Sequence, residues 1–130
     1  MKKIALIILM LAVNISFAQN ETNKIIDSLN TELIKAKEDT SKVNILNQLT
    51  SNNFYQKPKI ATQYGIKALK LASKINWKKG MAIANNNLGI CYWVDADYPE
   101  SIKYFKKTLL CYKNLKNLKA LQLVTNMKGL

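Results

Sequence analysis

A segment that repeats itself after forty residues constrains this chain more than any other feature. Aligning Ala61–Ile90 with Ser101–Leu130 gives identity at Tyr64/Tyr104, Lys67/Lys107, Leu69/Leu109, Lys79/Lys119, Asn86/Asn126 and Gly89/Gly129. Apolar residues also meet apolar ones, as at Ile75/Leu115, Met81/Leu121, Ile83/Leu123, Ala84/Val124 and Ile90/Leu130. In a chain rich in Lys and Asn a few identities arise by chance. The apolar pairs weigh more, because they keep the pattern by which helices stack. A period of about 20–50 residues marks arrays of supersecondary units that cannot bury their apolar faces alone. The spacing predicts a binding scaffold rather than a catalyst.

The periodicity along the chain is helical throughout. Ile25, Ile26, Leu29, Leu33 and Ile34 form one stripe on Glu21–Lys37, at the three- and four-residue spacing of an amphipathic helix. Glu38-Asp39-Thr40-Ser41 interrupts the pattern and offers N-cap oxygens. A second helix is expected over Val43–Tyr55, ending before Pro58, and a third over Ile60–Ile75. After a break at Asn76–Gly80, a fourth is expected over Met81–Val94. Asp97-Tyr98-Pro99-Glu100 then reads as a capping box opening a fifth helix over Ser101–Tyr112. A Lys- and Asn-rich link around Asn114–Lys119 is expected before a sixth helical stretch, Leu118–Leu130. No strand alternation of useful length occurs, so the fold class is all α.

The amino terminus reads as an export signal. Lys2 and Lys3 precede the apolar run Ile4–Val13, and Ser16-Phe17-Ala18 supplies small residues at the positions a signal peptidase reads. Cleavage is expected before Gln19. The run is shorter than the roughly 20 residues of a membrane-spanning helix, so no membrane span is expected. The chain divides into a signal peptide (1–18), an amphipathic helix (19–39) and a repeat region (40–130). The expected location is the periplasm or the exterior.

Composition excludes several function classes. There is no His, which removes imidazole acid–base catalysis and His metal ligation. The eight carboxylates are scattered, and the adjacent pair Asp95 and Asp97 falls in a turn. No catalytic, metal or cofactor constellation is apparent. The formal net charge is +12, or +10 without Lys2 and Lys3, yet every basic residue is Lys. A nucleic-acid binder recruits Arg for bidentate contacts, so no nucleic-acid partner is expected. Lys78-Lys79 and Lys106-Lys107 read as solvated faces. Cys91 and Cys111 lie within apolar helical stretches, where a thiol behaves as a small hydrophobe. An oxidising compartment also leaves a bridge between them open.

Asn87-Leu88-Gly89-Ile90-Cys91-Tyr92, followed by Ser101-Ile102-Lys103-Tyr104-Phe105, resembles a tetratricopeptide repeat. Leu88, Gly89, Tyr92 and Phe105 match the family pattern, and Ser101 is an acceptable small residue. The departures are Asn85 where the family often has Trp, no closing Pro, and a period of 40 rather than about 34. Gly65 stands where the preceding unit would carry its aromatic, and Lys128 where a Leu is expected before Gly129. The resemblance implies antiparallel helical hairpins stacked as a short α-solenoid over residues 40–130. Close helix approach is expected at Gly89 and Ser101, with Tyr92 and Phe105 filling the wider gap.

What the resemblance implies about function is a non-enzymatic scaffold. Its concave face would include Ile83, Asn86, Asn87, Ile90 and Trp93 and would hold a protein or peptide partner. Trp77 is expected to pack between repeats. The layout is also similar to the sensor halves of exported or membrane-bound regulators of Bacteroidetes-like bacteria. The alternative expectation is therefore the sensory part of a histidine kinase or similar regulator whose output lies outside this chain. An uncapped last repeat would favour self-association.

Overall fold

The computed structural model describes residues 1–128, with the backbone alone for residues 120, 121 and 123–128. It contains five helices: α1 (Lys2–Lys35), α2 (Thr40–Asn53), α3 (Pro58–Lys74), α4 (Lys78–Val94) and α5 (Tyr98–Lys128). Among the described residues there is no strand, and the fold is all α and repeat-like. Each helix packs on its neighbours in sequence, and α4 also reaches back to α2.

The helix starts follow from local chemistry. Of the oxygens available at the head of α2, Asp39 Oδ1 accepts from the Ser41 and Lys42 amides at 2.9 and 3.3 Å. Pro58 occupies the first turn of α3, where its fixed φ is already helical, so the helix begins two residues before Ile60. At α5 the Glu100 amide donates to Asp97 Oδ1 at 3.3 Å. The other half of the expected capping box is absent. The Asp97 amide already donates to Tyr92 O at 2.9 Å, and the Glu100 carboxylate pairs with Lys103 at 3.0 Å.

Two matching turns join α3 to α4 and α4 to α5. Asn76 and Ala96 take positive φ, 54° and 61°. The amides of Asn76 and Trp77 return to Ser73 O and Ala72 O, and those of Ala96 and Asp97 to Trp93 O and Tyr92 O. This is the Schellman arrangement, which satisfies carbonyls left over at a helix end.

Small residues set the helix spacing. A Cβ on Gly65 would lie 2.8 Å from Leu88 Cδ2, and one on Gly89 would lie 2.7 Å from Phe105 Cδ1. Gly80 is covered by the Trp77 ring. Of the expected breaker Asn76–Gly80, Asn76 and Trp77 form the turn, while Lys78–Gly80 already belong to the first turn of α4. Trp77 also packs on the central cluster of Val43, Leu46, Ala68, Leu71, Ala72 and Ala84. Fully burying one side chain such as Leu88, which is 0% exposed, contributes about 1.5–3 kcal/mol.

The two ends of the chain differ from expectation. α5 runs unbroken through Asn114–Lys119, so the expected link and separate sixth helix are replaced by one long helix. No Gly or Pro interrupts 100–128, and Lys, Leu and Asn each lose only tenths of a kcal/mol in a helix. Gly129 and Leu130, the end of the expected sixth stretch, lie outside the described residues, as does the Lys128 side chain. α1 is likewise continuous across 18 and 19, so the expected processing point falls within a helix. Its side chains are exposed through Glu21, and only Leu29 is buried. By length and composition α1 could cross a membrane, with an 18-residue window of mean hydropathy 1.6.

Candidate functional site

The α2–α4 contact leaves a groove of about 240 Å³, and polar side chains on α2 form one wall. Asn44, Asn47, Gln48 and Ser51 recur at three- and four-residue spacing. Asn44, Gln48 and Ser51 lie opposite the apolar Val43–Leu46–Leu49 side of the same helix, and buried Asn47 flanks that side. From α4 come Ile83 and Asn87.

At the bottom of the groove two amides meet across the repeat distance. Asn87 Nδ2 donates to Asn47 O at 3.3 Å and to Asn47 Oδ1 at 3.4 Å. Both residues are buried, at 7% and 5% exposure, and Asn47 Nδ2 has no partner among the described residues. An unmatched buried donor costs about 1–3 kcal/mol. That nitrogen is fully covered, so a carbonyl oxygen in the groove reaches it only if the Asn47 or Asn87 side chain turns. Asn85 Oδ1 is also buried and unpartnered, but its amide nitrogen faces Cys111 Sγ at 3.8 Å, on the α4–α5 side.

The residues expected on the concave face separate in the structure. Ile83 and Asn87 line the groove. Asn86 is half-buried beside them on α4. Ile90 packs against Phe54, Ala61 and Cys91, so it serves the core. Trp93 stands 57% exposed at the end of α4 and does not line the groove. Asn44, Asn47, Gln48 and Ser51 were not anticipated, although Asn47 lies forty residues before Asn87.

Of the expected repeat signature, Gly89, Tyr92, Ser101 and Phe105 cluster at the α4–α5 crossing, whereas Leu88 faces Gly65 of α3. Ser101 Oγ donates to Gly89 O at 2.8 Å, and Phe105 covers Gly89. Tyr92 stacks on Tyr104 with centroids 5.3 Å apart and planes 8° from parallel. Lys107 Nζ lies 4.7 Å from the Tyr104 centroid. Leu88 is fully buried.

Both cysteines are free thiols. Burial pushes the Cys91 thiol up to about 11, against a smaller opposing effect of its hydrogen bond with Thr62. A thiol held protonated in this way is a poor nucleophile. Comparison with protein-family models, curated proteins and solved structures finds no match.

Proposed function

We propose that this chain is a non-enzymatic, exported interaction module of the tetratricopeptide type. In this reading the α2–α4 groove holds an extended segment of a partner protein. The observation that carries the proposal is the buried Asn47 amide with an unused donor beside Asn87. A side-chain amide both donates and accepts, which suits a peptide backbone. Gln48, Asn44 and Ser51 extend the same chemistry along α2. The helical hairpins and the small residues at their crossings support the family reading. So does the forty-residue register of the sequence, although α5 runs unbroken where α3 turns into α4. The basic, apolar and small-residue order of Lys2–Ala18 supports export.

Photo-crosslinking tests the groove. A photoreactive residue at Gln48 is expected to capture a partner from envelope extract, with a yield that falls when Asn47 is replaced by Ala. Equal capture from Lys106, on the outer side of α5, would refute the groove assignment. Amino-terminal sequencing of the envelope-fraction protein tests export. A start at Gln19 is expected, and a retained Met1 would make α1 an anchor.

A further inference from the structure

We propose that a second cleft, between α1, α2 and α3, binds a single-chain anionic amphiphile of the fatty-acid carboxylate type. The cleft encloses about 570 Å³, within the roughly 300–1,000 Å³ range of small-molecule sites. Leu46 and Leu71, 4% and 8% exposed, form its floor, and Leu33 and Ile34 of α1 form one wall. Ile34 is 86% exposed, a large apolar side chain that an inserted acyl chain would cover.

The rim carries the charge. Lys42 stands on α2, and Lys67, Lys70 and Lys74 recur along one face of α3. The single rim carboxylate, Glu38, is engaged by Lys74 at 2.7 Å. Among the described residues no ion pair reaches Lys42, Lys67 or Lys70. Lys42 also lies in the field of Glu38, and Lys67 Nζ stands 5.9 Å from the Tyr64 ring centroid. Four ammonium groups against one carboxylate nevertheless leave the rim net positive. This rim above an apolar floor matches a ligand with one anionic head and one hydrocarbon tail. A small inorganic anion would leave the floor uncovered, and a neutral lipid would leave the lysines unused. Lys42 and Leu46 sit roughly half a turn of α2 from Asn44, Gln48 and Ser51, so the cleft and the groove are independent.

Calorimetric titration of the full chain with dodecanoate, below its micelle concentration, tests this assignment. Dodecan-1-ol supplies the tail without charge, and acetate supplies the charge without the tail. One dodecanoate per chain is expected, bound more tightly than either control. The Lys67→Gln/Lys70→Gln variant is expected to weaken dodecanoate roughly three- to tenfold and leave dodecan-1-ol unchanged. Ile34→Asn is expected to weaken both. All three side chains reach the surface, so circular dichroism should not change. Several ligands per chain, indifferent to Lys67 and Lys70, would mean adsorption on the exposed Ile4–Phe17 segment and would overturn the proposal. So would binding to phosphatidylglycerol vesicles without binding of free dodecanoate.

Discussion

Ala96 is held at φ 61° by the turn between α4 and α5, a conformation that its Cβ makes unfavourable by about 1–2 kcal/mol. Ala96→Gly should raise the urea midpoint, with a net gain of about 0.5–1 kcal/mol after the greater freedom of Gly in the unfolded chain. Asn76→Gly should gain less, because Asn tolerates this region. Gly89→Ala should lose up to about 2 kcal/mol, because overpacking against the Phe105 ring, 2.7 Å from the new methyl, costs about 1–3 kcal/mol and the better helix propensity of Ala returns about 0.5–1 kcal/mol. Phe105→Leu in the same chain should restore part of that loss in denaturant titrations. Asn47 separates stability from function. Asn47→Leu removes the unpaired donor but also the Oδ1 to which Asn87 donates, so the two effects should cancel to within about 1 kcal/mol, while partner capture at the Gln48 crosslinking position should be lost.

At the scale of helices, most of the architecture was legible, because periodicity and turn chemistry agreed. Asp39, Pro58 and Asp97 each mark a start that backbone geometry requires. Boundaries failed where a residue carried two meanings. Gly80 reads as a breaker until the Trp77 ring is seen to need its missing Cβ. Asn114–Lys119 reads as a link because Lys and Asn are common in loops, yet nothing there stops a helix already under way. The groove was half legible. Ile83 and Asn87 could be found from the α4 signature, but the α2 wall was hidden because its unit lacks the Leu-Gly pair. There the contact is inverted, with Leu88 of the next unit filling the space above Gly65. Amide hydrogen exchange should reflect this asymmetry. Residues 98–111, packed along α4, should be protected longer than 112–119, where nearly every side chain is exposed.

At the scale of the molecule, the chain separates into a packed body and an exposed leading rod. No side chain among residues 1–21 is buried. Deleting residues 1–18 should therefore move the thermal midpoint by less than about 2 °C. Cys91 reports on the body. Disulfide-exchange reagents at pH 8 should modify Cys111 in the native protein and reach Cys91 only on unfolding. Its proton is held more tightly in the folded state than at the ordinary value of 9.0. The associated stability is complete below pH 9 and fades as pH rises toward 11.

The paired turns at Asn76 and Ala96 bear on how such a chain lengthens. Each delivers a departing helix to its successor with the same hydrogen bonds. An in-frame duplication cut at these points would thus meet a familiar junction on either side. Growth by copying would require no new joint, only a newly exposed flank to keep wetted or to cover.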